Sequence, residues 1–308
     1  MKSAFCIFVL WPAVGVLAAT AFLRPVNNTF VLSPGIACPL PDANDLNFGG
    51  SGSLCVSSPI ARAYDPLQGI DHPPKGEFIT LLKFDASVCS ETTISALVLK
   101  LAITCGNQSA GGIFNYLGSP GDFDLYWVDN AWQQGYGTPL SPADPNAGIT
   151  YTGLMSLLDQ TDYVYLETLY YNAQYPYSAG ENWFEFELNL EKESYAGLKE
   201  AVESGETITF MLLAPMESAS CFNIRAYIQY APNGSYTIRN TGPVLKVQAA
   251  IPFSHVDFDK DGRLTISDLI YITDFWLQTG DALVADLAPL GGDGIVNMLD
   301  FCEFAQFW

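Results

Sequence analysis

Phe184-Glu185-Phe186-Glu187-Leu188-Asn189-Leu190 alternates apolar and polar side chains without a break. Successive residues of a β-strand point to opposite faces, so this period of two puts Phe184, Phe186, Leu188 and Leu190 on one face and Glu185, Glu187 and Asn189 on the other. The same reading extends outward. Phe78, Thr80, Leu82 and Phe84 alternate with Ile79, Leu81 and Lys83. Leu97, Leu99, Leu101 and Ile103 alternate with Val98, Lys100 and Ala102, and Phe222, Ile224, Ala226 and Ile228 with Asn223, Arg225 and Tyr227. Val244 to Val247 makes a last strand, and Thr207 to Leu213 is a continuous apolar run. Gly, Pro, Asn and Ser break up these segments from about residue 30 to 249. So many short period-two segments predict an all-β domain of two packed antiparallel sheets. One helix is expected within it, from about Glu193 to Ser204, with Tyr195, Leu198 and Val202 on its inner face and Gly205 as its stop.

Composition agrees with a folded chain. Of 308 residues 49% are apolar and 15% charged, enough to offset the chain entropy that keeps disordered segments open. Asp and Glu number 33 against 13 Lys and Arg, a formal net charge of −20. That excess of anions argues against nucleic acid and against an anionic lipid surface, both of which need a basic face.

Residues 1–21 read as a signal peptide. Lys2 precedes an apolar core from Ala4 to Leu17, and Ala19-Thr20-Ala21 fits the small-x-small cleavage pattern. A core of 14 residues falls short of the roughly 20 that a spanning helix needs. The expectation is an exported protein, secreted or held at the cell surface, without a membrane span. Export permits disulfides. Removing the leader removes Cys6 and leaves Cys38, Cys55, Cys89, Cys105, Cys221 and Cys302. Sequence neighbours point to Cys38–Cys55 and Cys89–Cys105 among the 15 pairings that six cysteines allow.

The most specific pattern lies near the C-terminus. Asp257-x-Asp259-x-Asp261-Gly262 opens a loop of twelve residues that closes at Asp268. Calcium takes six to eight hard oxygens, and a loop of this length presents side chains from positions 1, 3, 5 and 12 and a carbonyl from position 7. Those positions are Asp257, Asp259, Asp261, Asp268 and the carbonyl of Arg263, with Thr265 at position 9. The alternative is an acidic turn in which Asp268 merely caps the next helix. Asp261-Gly262-Arg263-Leu264-Thr265-Ile266-Ser267-Asp268 recurs 32 residues later as Asp293-Gly294-Ile295-Val296-Asn297-Met298-Leu299-Asp300, and the segments that follow both end in Trp, at Trp276 and Trp308. The second loop departs from the first: counting back from Asp293 puts Pro289 and Gly291 at positions 1 and 3. Asp286 can serve as position 1 only if three extra residues bulge out. The expected ligands are Asp286, Asp293, Asn297 and Asp300, in a weaker or distorted site.

Catalytic signals are sparse. The only histidines, His72 and His255, lie in a turn and at a domain boundary, and no nucleophile motif such as GxSxG is present. Glu185 and Glu187 share a strand face that alternation assigns to solvent, so no carboxylate pair for glycoside hydrolysis is expected there. The expectation is a protein that is not an enzyme. Aromatics offer another clue. Trp127 and Trp132 flank a Gly/Asp/Asn-rich stretch, Tyr163 to Tyr177 holds six tyrosines including Tyr171, and Trp183 follows. Flat rings stack on sugar faces, which makes Trp127, Trp132, Tyr171 and Trp183 candidate ligand contacts. The competing reading is that they are strand residues packed within the sheets.

Two resemblances add to this. Asn47-Phe48-Gly49-Gly50-Ser51-Gly52-Ser53-Leu54 followed by Lys75 to Asp85, Trp132-Gln133-Gln134-Gly135-Tyr136-Gly137-Thr138-Pro139, and Asn223-Ile224-Arg225-Ala226 ahead of Pro243 to Val247 together resemble the DNRLRE-type secreted domains of planctomycete-type bacteria. Gln134 stands where that family often has Glu. The resemblance implies a jelly-roll-like antiparallel β-sandwich over residues 22–249 that binds polysaccharide or cell-surface material. Residues 257–308, after a linker at 250–256, resemble a type I dockerin, a small all-α module of paired F-hand calcium loops that docks on a cohesin. Its positions 10 and 11 contact the partner, which implies Ile266, Ser267, Met298 and Leu299 here. Those positions are more apolar than usual, so docking within the chain or self-assembly through this module stays open beside a cohesin-like partner. The implied protein is a polysaccharide binder tethered through calcium. The alternative is a structural subunit of a cell-surface layer or extracellular fibre.

Overall fold

A computed structural model describes residues 17–38, 40, 42–65, 70–90, 92–104, 119–143, 145–172, 182–251, 256–260, 263–280, 283, 285–288 and 292–305. Strands β1 (Leu17–Leu23), β2 (Pro25–Pro34), β3 (Ser53–Ser57), β4 (Ala63–Asp65), β5 (Ile70–His72), β6 (Gly76–Asp85), β7 (Thr93–Thr104) and β8 (Gly121–Val128) lead to helix α1 (Tyr151–Gln160). Strands β9 (Val164–Tyr171) and β10 (Asn182–Leu188) precede helix α2 (Ala196–Glu203). Then come β11 (Thr207–Leu213), β12 (Cys221–Arg225), β13 (Ile228–Tyr230), β14 (Tyr236–Ile238) and β15 (Val244–Ile251), followed by helices α3 (Ile266–Asp274) and α4 (Met298–Ala305). The chain divides into two compact units, Thr20–Gln248 and a smaller one holding Ala249–Trp308 with the first 19 residues.

The larger unit is mostly antiparallel β-sheet. Its strands run β1-β15-β7-β12-β3-β6-β11-β8-β9, with β10 beside β7 and β2 beside β6. A single pair, Ser57 with Phe78, joins β3 to β6, and the path folds there into two layers consistent with a sandwich. Rings on β8 and β9 meet rings on β10 and β12, to which neither strand is hydrogen-bonded. Phe123 lies 5.2 Å from both Phe186 and Phe222, and Tyr171 lies 4.8 Å from Phe222 and 5.1 Å from Phe184. The Tyr171–Phe222 pair is tilted and the other three are edge-to-face, contacts that add about 0.5–1.5 kcal/mol each to the burial of the rings.

The alternation expected at β10 is present: Phe186 and Leu188 are buried, Glu185 and Glu187 exposed, and Glu185 pairs with Lys100 across the register at 2.7 Å. The strand ends at Leu188, so Asn189 and Leu190 fall in the following turn. At β6 both faces are buried. Phe78 joins Phe30, Leu32, Phe48 and Cys55 in one cluster, while Ile79 and Leu81 join Val31, Met211 and Leu154 in another. The second cluster exists because α1 lies over that face of the sheet and contributes Leu154, Met155, Leu157 and Leu158. Thr150 caps α1 by accepting the Gly153 amide at 3.1 Å. This helix was not expected from the sequence. The other helix was: a 3-10 turn at Glu193–Tyr195 leads into α2, Tyr195, Leu198 and Val202 are buried, and Gly205 at φ +73 ends it.

Strand β1 spans Leu17–Leu23, with Ala21 buried in it. One expectation meets a different outcome: the expected disulfides do not form. The Cys55 thiol donates to Asn223 Oδ1 at 3.0 Å and the Cys38 thiol to the Leu40 carbonyl at 3.3 Å, so the two sulfurs are turned to different acceptors. Cys89 is buried and unbridged, and Cys105 lies outside the described residues. Burial pushes the Cys55 thiol well above its usual range and the Cys89 thiol up to about 11.

In the smaller unit, α3 and α4 enclose a compact core of Val256, Ile272, Ala285, Leu287, Val296 and Phe304. The helices are short, nine and eight residues. Phe258 stacks on Phe304 with the rings 7° from parallel.

Candidate metal centre

The residues of the first loop converge. Ligand oxygens of Asp257, Asp259 and Asp268 all lie within 4.8 Å of one another, the only such group of three among the described residues. Asp257 and Asp268 are buried, at 6% and 0% exposure, while Asp259 is open to solvent. Asp268 holds the loop in its curve: one carboxylate oxygen accepts the amides of Phe258 at 2.8 Å and Asp259 at 3.4 Å, the other accepts the Thr265 amide at 2.8 Å. It also completes a capping box with Thr265 at the start of α3. Capping and convergence therefore coexist at Asp268. Three carboxylates held this close repel one another unless a cation sits among them. All three are hard oxygen donors, the chemistry calcium takes, so the set fits that ion. Asp261 and Gly262 lie outside the described residues, and Arg263 is exposed.

The second loop is built on the same plan with an insertion. Asp300 accepts the amides of Leu287 at 2.6 Å and Ala288 at 2.8 Å with one oxygen, and the Asn297 amide at 2.6 Å with the other. This repeats the Asp268 arrangement, but Asp300 reaches back 13 residues to Leu287 where Asp268 reaches back 10 to Phe258. Three extra residues therefore lie inside the loop, and Asp286 takes the place of Asp257. Its carboxylate accepts the Asp293 amide at 3.0 Å and the Gly294 amide at 2.7 Å. Ala288 falls where Asp259 stands in the first loop and supplies no side-chain oxygen. Asp293 accepts the Ile295 amide and Asn297 the Leu299 amide. Ile266, Ser267, Met298 and Leu299 are all exposed, Ile266 at 66% and Met298 at 58%.

The expected ligand aromatics are scattered. Trp132 is 5% exposed; its indole N–H donates to Thr209 Oγ1 at 3.1 Å, and the Lys83 ammonium lies 4.5 Å from its ring centre. Tyr171 is wholly buried between the layers. The Tyr171 ring is enclosed by protein, and the Trp132 ring is nearly so. Trp127 is half-buried beside Gly197, where a Cβ would come within 3.0 Å of its ring. Trp183 is 41% exposed with Lys100 near its face. Tyr126, Tyr163 and Tyr165 cluster at the surface, but Tyr126 meets the other two at 60° and 66° and the three make no flat platform. Tyr175, Tyr177 and His255 lie outside the described residues.

Sequence reading missed a buried amide knot that binds two of the quoted motifs together. Asn47 donates to the carbonyls of Gln134 at 2.8 Å and Ile149 at 2.9 Å and accepts the amides of Gly49 and Gly137. Gln134, 1% exposed, accepts the Asn28 amide at 2.7 Å and donates to the carbonyls of Gly49 and Ile228. A Cβ on Gly49 or Gly137 would collide with backbone at 1.8 Å, so the glycines of both motifs serve this close approach. Their spacing in the sequence was the available signal. No family model matches this chain, and no curated protein matches it.

Proposed function

We propose a secreted, non-catalytic protein in which the sandwich is the binding body for polysaccharide or cell-surface material and the C-terminal unit is a dockerin-like tether ordered by calcium. The convergence of Asp257, Asp259 and Asp268 carries this reading. These residues, with Asp261 and the Arg263 carbonyl, would hold the ion, which supplies folding free energy by binding only the closed loop. The exposed Ile266, Ser267, Met298 and Leu299 stand at the start of the two helices, where a cohesin-like partner would seat.

The test is thermal melting with and without calcium. Saturation at about 100 times the dissociation constant stabilises by about 2.7 kcal/mol, so the melting temperature rises by several degrees. Asp257→Ala with Asp261→Ala removes that rise. No rise in the unaltered protein sinks the calcium reading. The exposed apolar pair Met298 and Leu299 also favours a second reading, a subunit of a surface layer or fibre. Calcium-driven growth of the purified protein into oligomers or filaments, with no glycan retained, selects it.

A further inference from the structure

We infer that the segment Asn130–Tyr136 forms the floor of a groove that binds a neutral, uncharged sugar chain. The inference rests on reading the sandwich as a glycan binder and names the site and ligand class within it.

Two clefts, of about 660 and 350 Å³, adjoin at Trp132 and Gln133 and so run on either side of this segment. Both volumes fall in the range of ligand sites, about 300–1,000 Å³. One arm passes Asn130 and Ile149; the other passes Asn27, Tyr136 and Tyr230. Trp132 and Gln134 turn inward and are buried, Gln133 between them turns outward, and Gly135 at φ +71 reverses the alternation so that Tyr136 is exposed as well. The inward residues are pinned. Gln134 is held in the amide knot, and Lys83 donates to the carbonyls of Asn130 and Trp132, each at 2.8 Å. A floor fixed in this way binds without the entropic cost of ordering loops.

The chemistry of the lining selects the ligand. Every described residue lining either cleft is uncharged, in a chain of net charge −20. An anionic polymer such as a uronan or sulfated glycan would meet no cation among them, since Lys83 lies behind the floor with its ammonium bonded to the Asn130 and Trp132 carbonyls, and would be repelled by the rest of the surface. The side-chain amides of Asn27 and Gln133 make no hydrogen bond within the described structure, so each offers both a donor and an acceptor to sugar hydroxyls. Tyr136 is 37% exposed, and Tyr230, backed by Tyr236 at 5.9 Å, gives the second arm a further ring for the apolar face of a pyranose. Amides for hydroxyls and rings for C–H faces, without charge, fit a neutral sugar chain.

The test is affinity electrophoresis of the full chain in calcium through gels containing neutral mixed-linkage glucan, xyloglucan or galactomannan, with alginate and pectin as anionic probes. Gln133→Ala and Tyr136→Ala change exposed side chains, and melting curves confirm that both fold. At least one neutral glycan should retard the protein, each variant should weaken the retention at least tenfold, and Trp183→Ala, outside the groove, should leave it unchanged. Retention lost in Trp183→Ala but kept in Gln133→Ala and Tyr136→Ala overturns the groove and leaves the glycan reading standing. Retention by alginate or pectin alone overturns the neutral ligand class. No retention by any glycan overturns both the groove and the glycan reading, without touching the calcium site.

Discussion

Gln134 shows what a single atom does in this protein. Its Nε2 donates to two buried carbonyls, those of Gly49 and Ile228, while Oε1 accepts the Asn28 amide. A glutamate would turn a carboxylate oxygen toward the same two carbonyls, leave that of Gly49 without its donor and leave that of Ile228 with the Asn28 side-chain amide alone. Gln134→Glu should destabilise the sandwich by at least about 1–3 kcal/mol at pH 7, read from urea unfolding. The loss should shrink near pH 4, where a protonated acid can donate once more. An unchanged midpoint at pH 7 would show that the knot is dispensable. Glu167 is the opposite case, a carboxylate the fold favours. Burial raises its pKa, but hydrogen bonds from Lys192 and Tyr195 outweigh that and leave it lowered. With the folded pKa below the unfolded value of about 4.3, the stabilisation is complete above that pH and lost as pH falls through the folded pKa. Urea midpoints of the unaltered protein and Glu167→Gln should therefore differ at pH 7 and converge toward pH 3. A gap that persists at pH 3 would assign the effect to packing instead.

Strands were legible whether one face or both are covered, but what covers a second face was not. The β10 pattern is open to reading because Glu185 and Glu187 face solvent. Phe78 to Phe84 is apolar on both faces, so its strand was visible while the layer above Ile79 and Leu81 was not. That layer is α1, and its signals are weak: Thr150 caps it, but Gly153 stands where a capping box places Glu or Gln, and Gly153 lowers helix propensity. Trp132 and Tyr171 were attractive as ligand contacts because sequence gives ring chemistry without exposure. The two C-terminal loops divide the same way. Spacing alone located the first, whereas for the second it offered Asp286 only on condition of a three-residue bulge, and the 13-residue reach of Asp300 supplies that bulge. With Ala288 in place of a carboxylate and Asp286 already accepting two amides, the second loop should bind calcium far more weakly. Titration calorimetry should give one tight calcium per chain. Asp257→Asn should abolish it, and Asp286→Asn should leave it. Two equal tight sites would refute this asymmetry.

For the whole molecule, charge and division into units act together. Residues 251–308 carry ten acids, Asp257, Asp259, Asp261, Asp268, Asp274, Asp281, Asp286, Asp293, Asp300 and Glu303, against Lys260 and Arg263. That is −8 of the total of −20, placed in the unit with the smaller core. Self-repulsion opposes a compact state, and a small core has little burial with which to offset it. A cation among Asp257, Asp259 and Asp268 would relieve the repulsion among those three carboxylates. The larger β-sheet unit, which buries Phe78, Phe84, Phe123, Tyr171, Phe210 and Phe222, has no such need. Differential scanning calorimetry should therefore resolve two transitions. Calcium should raise the lower one by several degrees, and chelation should move it back down. The upper one should shift by no more than about a degree, because an ion stabilises only the unit whose folded form binds it. A single transition that moves as a whole with calcium would mean that the two units unfold as one, and the ion would then have to be counted as part of the sandwich's stability as well.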